Sequence, residues 1–109
     1  MVIVLDKKIT PDKLKEVALD LDGYIKFVVD IERGVMTAGG VRHVEGEEIL
    51  LKDGSKQQDL WGGGYDLESG EMDFDSMINI RPAQGNTSRE VLDLEIRKAV
   101  EEIVRKLLV

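Results

Sequence analysis

Glu71-Met72-Asp73-Phe74-Asp75-Ser76-Met77-Ile78-Asn79-Ile80-Arg81-Pro82 alternates apolar and polar side chains over most of its length, the period-two pattern of a half-buried strand. Met72, Phe74, Ile78 and Ile80 fall on one face. Asp73, Asp75, Asn79 and Arg81 fall on the other, with Met77 the single apolar residue among them. The register assigns Ile78 and Ile80 to a core and leaves Asn79 and Arg81 wet. Pro82 ends the strand, and the polar stretch from Ala83 to Ser88 reads as a loop turning at Gly85 and Asn86.

Toward the N-terminus, Glu68-Ser69-Gly70 reads as a turn into a preceding strand from about Lys56 to Leu67, which contains Trp61-Gly62-Gly63-Gly64-Tyr65. Asp53-Gly54 is a hairpin signal and makes Glu48 to Lys52 the partner strand. Tyr24 to Ile31 and Val35 to Ala38 read as two more strands around the turn Glu32-Arg33-Gly34, and Val2 to Leu5 as a short buried one. Thr10-Pro11-Asp12 supplies an N-cap, a proline for the first helical position and an acid for the first turn. A helix is therefore expected from Pro11 to Asp22. Another begins between Ser88 and Asp93 and buries Ile96, Val100, Ile103 and Leu107, with Ala99 and Val104 widening the stripe.

These elements give an α+β chain in the order β-α-β-β-β-β-α. Its sheet is mainly antiparallel, with both helices packed on one face and the other face left to water, a partner or a ligand. The first strand, helix and second strand are expected to form a crossover with parallel strands. At 109 residues the chain is one domain, residues 1–109. Its formal net charge of −7 argues against nucleic acid as a partner. With no cysteine, disulfides and thiolate chemistry are excluded. The apolar start Met1 to Leu5 is stopped by Asp6, Lys7 and Lys8, too soon for a signal peptide or membrane span, so the expected setting is the cytoplasm.

Several segments together resemble a family of short bacterial and archaeal proteins that carries only a domain-of-unknown-function label. They are Val29-Asp30-Ile31-Glu32-Arg33-Gly34, Ala38-Gly39-Gly40, Leu50-Leu51-Lys52-Asp53-Gly54-Ser55, Gln58-Asp59-Leu60-Trp61-Gly62, and Ser76 to Asn86 with its Asn79-Ile80-Arg81-Pro82 and Gln84-Gly85-Asn86. The resemblance spans nearly the whole chain. It implies one compact prokaryotic domain and brings no activity, cofactor or catalytic residue with it. Typical members have His-Ala-Asp where this chain has His43-Val44-Glu45, and often Ala-Asn where it has Gly63-Gly64.

Two constellations carry chemistry. His43, Glu45 and Glu47 alternate, so an extended strand would project imidazole and carboxylates from one face, with Asp75 adding an oxygen from a neighbour. That donor set suits a divalent metal such as Mn²⁺, Fe²⁺ or Zn²⁺. Around the long strand, Trp61, Asn79 and Arg81, with His43, Asp59, Gln84 and Asn86, make a polar, aromatic-walled surface suited to binding. The glycine run lacks the Lys-Ser/Thr of a phosphate loop and is expected to let another side chain lie on bare backbone. No complete catalytic set is present. The leading expectation is a non-catalytic binding or interaction module using that polar face for a small molecule or a protein, and a homodimer is compatible with exposed Met77. The alternative is a small metal-assisted hydrolase built on His43 and nearby carboxylates.

Overall fold

The computed structural model describes residues 1–109. Strands β1 (Val2–Leu5), β2 (Tyr24–Asp30), β3 (Val35–Gly39), β4 (Leu60–Asp66) and β5 (Met72–Asp73) form one sheet in the order β1-β3-β2-β4-β5. Every neighbouring pair is antiparallel. Both β1 and β2 run against β3, so they are parallel to each other. The hairpin strand β3 lies between them rather than leaving them paired directly.

Helix α1 (Pro11–Ala18) starts where the cap residues place it, with the Thr10 hydroxyl accepting from the Lys13 amide at 3.3 Å. It stops short of Asp22, and the chain reverses through left-handed Asp22 and Gly23. The last helix, α3 (Leu94–Leu107), is capped by the Asp93 carboxylate. Val17 of α1 and Val100, Val104 and Leu107 of α3 are fully buried with Ile25, Phe27, Val29, Met36, Ala38 and Trp61. These two helices share one face of the sheet, as the alternation requires.

The opposite face carries a third helix, α2 (His43–Lys52), where the sequence suggests a strand and a hairpin turn. Asp53-Gly54 ends this helix. The Ser55 amide reaches the Leu50 carbonyl at 2.9 Å and the Gly54 amide the Leu51 carbonyl at 3.3 Å, the paired bonds of a left-handed glycine cap. A type I′ hairpin and this cap both require positive φ, and Gly54 has φ 106°, so Asp-Gly alone does not separate them. Gly46 obscures the helix further, because glycine disfavours helix interiors. It is needed here because α2 presses on the sheet. An added Cβ would sit 2.2 Å from Thr37 Oγ1 and 3.1 Å from Val28 Cγ2. Leu50 packs with Val28 and Leu60 in a second, smaller core.

The stretch from Glu71 to Pro82 departs most from expectation. Only Met72–Asp73 pairs as strand, and Met77–Asn79 and Pro82–Gln84 are 3-10 turns. A 3-10 turn repeats every three residues, so the two-residue alternation loses phase at Ser76. Asn79 is fully buried, whereas Ile80 is 39 % and Met77 65 % exposed. The faces assigned to Asn79 and Ile80 are thus exchanged.

Asn79 explains why. Beyond Gly64 the outer edge of β4 has no strand neighbour, and the Asn79 amide takes that place. Its Oδ1 accepts from the Gly62 amide at 2.9 Å and its Nδ2 donates to the Gly62 carbonyl at 3.0 Å. The same Nδ2 lies 3.1 Å from the Phe74 carbonyl and 2.9 Å from that of Arg89. One side chain therefore does for Gly62 what a paired strand residue would do. Buried Asn86 repeats the device nearby, its two Nδ2 protons shared among the Asn79, Ser88 and Glu90 carbonyls at 2.8–3.0 Å and its Oδ1 accepting from the Leu92 amide.

Candidate functional site

Each glycine of Gly62-Gly63-Gly64 accommodates a close neighbour. A Cβ on Gly63 would lie 2.2 Å from the Asp73 carbonyl oxygen, and one on Gly64 would lie 1.8 Å from the Tyr24 hydroxyl. The Tyr24 ring therefore crosses bare backbone, and its hydroxyl donates to the Asp73 carboxylate at 2.6 Å. Burial, followed by that hydrogen bond, raises the Tyr24 pKa far above the usual phenol value. On Gly62, a Cβ would meet Ser76 at 2.8 Å and the His43 ring at 3.1 Å. The glycine run lets Ser76 and His43 approach the sheet together.

These residues line a cavity of about 340 Å³ beside the start of α2, with Lys26, Arg42, Val44, Asp75, Met77, Ile78 and Arg89 completing the wall. His43 Nε2 lies 2.7 Å from the Gly63 carbonyl oxygen. A carbonyl only accepts, so Nε2 carries the proton and Nδ1 is free of one in the neutral ring. Burial holds the His43 pKa below its ordinary value; the Gly63 bond opposes that effect, and nearby Lys26 adds to it.

The charge around the cavity is uneven. Arg89 pairs with Asp75 at 3.1 Å. Neither Lys26 nor Arg42 has an acidic partner within ion-pair distance. In a chain of net charge −7, this corner brings together three cations, two of them outside any ion pair, with the carboxylates of Asp73 and Asp75 close enough to act on His43.

Of the binding residues read from sequence, His43 lines this cavity and the others serve the fold elsewhere. Trp61 is 1 % exposed, and the Arg81 guanidinium stacks 3.9 Å from its ring centroid. Arg81 also donates to the carbonyls of Gln57 and Leu60, and burial lowers its pKa against the pull of Glu47 and Asp59. Gln84 donates to the Gln58 carbonyl at 3.1 Å, and the Asp59 carbonyl accepts from the Ile31 amide. Trp61, Asn79 and Arg81 do converge, but the Asn79 amide and the Arg81 guanidinium fasten the 77–86 segment to the start of β4, while the Trp61 indole N–H is buried without a partner.

The proposed metal set does not converge. His43, Glu45 and Glu47 lie in α2, where residues two apart are turned about 200° from each other, so Glu45 points away from the face that His43 and Glu47 share. The Glu45 carboxylate caps the amides of Val41 at 3.0 Å and Arg42 at 2.8 Å, and Asp75 is paired with Arg89. No three His, Asp or Glu side chains in the chain are placed to hold a metal ion.

Sequence reasoning missed Tyr24, Lys26, Arg42, Ser76 and Arg89. One signal was available. Lys26 stands opposite Gly64 and Val28 opposite Gly62 in the β2–β4 register, so bare backbone on β4 invites neighbouring side chains to lie down on that face.

A family model described as a protein of unknown function, DUF5674, matches residues 3–107. The chain belongs to that family. No curated protein and no solved structure matches it. In this DUF5674 domain no helix is long and apolar enough to cross a membrane.

Proposed function

We propose that this DUF5674 domain is a small-ligand binding module whose cavity beside α2 takes an anion. The observation that carries the reading is the pair of cations outside any ion pair, Lys26 and Arg42, on the wall of a cavity of about 340 Å³ in an otherwise acidic chain. That volume lies at the lower end of the roughly 300–1,000 Å³ typical of small-molecule sites. Arg42 offers a planar fork for a carboxylate or phosphate, Lys26 a point charge, and Ser76 a hydroxyl.

The hydrolase alternative has less support. His43 is oriented by a backbone carbonyl rather than a carboxylate, and no hydrogen bond joins it to Ser76. Met77, read from sequence as a homodimer contact, sits at the cavity rim and serves a ligand equally well. A cytoplasmic setting accords with the lack of cysteine, and the acidic surface disfavours nucleic acid.

The test is a two-dimensional amide NMR titration with inorganic phosphate and with acetate at constant ionic strength. Saturable shifts confined to Lys26, Arg42, His43 and the 75–78 segment are expected, and they should be lost in Lys26→Ala/Arg42→Ala. Shifts spread over the whole surface, or unchanged in that variant, would refute the proposal.

A further inference from the structure

Beside the cations, the same cavity presents apolar surface to solvent. Val44 is 42 % and Met77 65 % exposed, and both line the wall with half-buried Ile78. The polar groups are set opposite in kind: Lys26 and Arg42 are charged and unpaired, whereas Tyr24 is occupied by Asp73 and Arg89 by Asp75. A ligand that met only the cations would leave Val44 and Met77 in water. A purely apolar ligand would strip water from two unpaired charges without replacing it, which is costly.

Resting on the anion reading above, we propose that the ligand is an amphiphilic anion, with its carboxylate or phosphate head on Arg42 and Lys26 and a short apolar body against Val44, Met77 and Ile78. Size sets the body. At about 30 Å³ per water-sized group, a cavity of about 340 Å³ holds on the order of eleven non-hydrogen atoms. Three or so belong to the head, which leaves a chain of roughly six to eight carbons or one aromatic ring. Arg42, the extended residue that caps α2, and Val44 in its first turn both line the mouth, and the 3-10 turn at Met77–Asn79 keeps Met77 exposed there.

The experiment is a calorimetric series of acetate, butanoate, hexanoate and octanoate, with hexanol, hexylammonium and inorganic phosphate as controls, on the wild type, Arg42→Ala and Val44→Ser/Met77→Ser. Affinity should rise about two- to fourfold per methylene up to the size limit, since a fully buried methylene gives roughly fourfold. Hexanol and hexylammonium should bind far more weakly than hexanoate. Arg42→Ala should weaken every carboxylate by a similar factor. Val44→Ser/Met77→Ser should flatten the chain-length dependence and leave acetate unchanged. If acetate and phosphate bind as tightly as hexanoate and all depend on Arg42, the amphiphile proposal fails while the anion reading survives. Should hexanoate and hexanol bind alike, indifferent to Arg42→Ala, both fail. A double serine variant that retains its acetate affinity is folded, so its chain-length profile remains decisive.

Discussion

Replacing Asn79 removes the polar link between the edge of β4 and the irregular segment beyond it. In Asn79→Ala the Gly62 amide loses its acceptor, and the carbonyls of Gly62, Phe74 and Arg89 lose their shared donor. An amide nitrogen carries two protons, so at most two of those three carbonyls are well served at once. The Phe74 and Arg89 carbonyls keep their bonds from the Val91 and Ser76 amides, so the variant strands the buried N–H and carbonyl of Gly62. At about 1–3 kcal/mol for each unsatisfied group the gross cost is roughly 2–6 kcal/mol, and water entering the vacated space should bring it to about 2–4 kcal/mol. Against a total stability of about 5–15 kcal/mol this is a large loss, on the order of 8–32 °C in Tm. Asn79→Asp separates hydrogen bonding from volume. It keeps the Oδ1 acceptor but turns an anionic oxygen toward carbonyls 2.9–3.1 Å away, so it should destabilise at least as much at pH 7. Burial among those carbonyls would raise the pKa of that carboxyl in the fold, so that variant should gain stability as pH falls from 7 toward 5. Urea unfolding followed by Trp61 fluorescence measures all three proteins. A loss below about 1 kcal/mol in Asn79→Ala, or an Asn79→Asp protein as stable as wild type at pH 7, would refute the argument.

Leu50→Ala should cost about 2–5 kcal/mol in urea unfolding, because Leu50 is fully buried under α2 against Val28 and Leu60. Gly64→Ala should displace the Tyr24 ring and destabilise by about 1–3 kcal/mol. Combined with Tyr24→Ala it should cost less than the two single changes summed, as a double-mutant cycle would record. His43 is held below its ordinary pKa by burial, so the unfolded chain takes up the proton first. Stability should be level above about pH 6.5 and fall as pH drops below it, and His43→Gln should remove that part of the slope in unfolding measured at pH 7.5 and 5.

The sequence was readable where the local signal and the packing agree. Thr10-Pro11-Asp12 starts α1, Asp93 starts α3, and Ile25, Phe27 and Val29 alternate into the main core. It misled where one residue satisfies two geometries. Gly54 provides positive φ for a hairpin or for a helix end, and Gly46 weakens the signal of α2 because its missing side chain serves a contact with Thr37. Across Met72 to Arg81 the alternation was real as composition but not as structure, because the demand of Gly62 for a hydrogen-bond partner drew Asn79 inward. Of the site residues read from sequence, only His43, the sole histidine, and Asp75 pointed to the cavity. Lys26, Arg42 and Arg89 are ordinary surface residue types, and only the pairing of β2 with β4 and the placing of α2 over them bring these positions together.

Asparagine is chemically impermanent, and the next backbone nitrogen can attack its side-chain carbonyl, expel ammonia and leave an acid after hydrolysis. In the native fold Asn79 is shielded by the bonds it makes, since its amide is engaged and the Met77–Asn79 turn fixes the backbone that would have to swing round. Ageing of this protein therefore proceeds through opened molecules, which exist only as a small fraction whenever the 74–92 segment detaches. Deamidation in an opened molecule outlasts the opening, because the acid no longer donates to the Gly62 carbonyl at the edge of β4. Chemical ageing at Asn79 is thus gated by how often one short segment lifts from the sheet, and does not wait for the main core to melt.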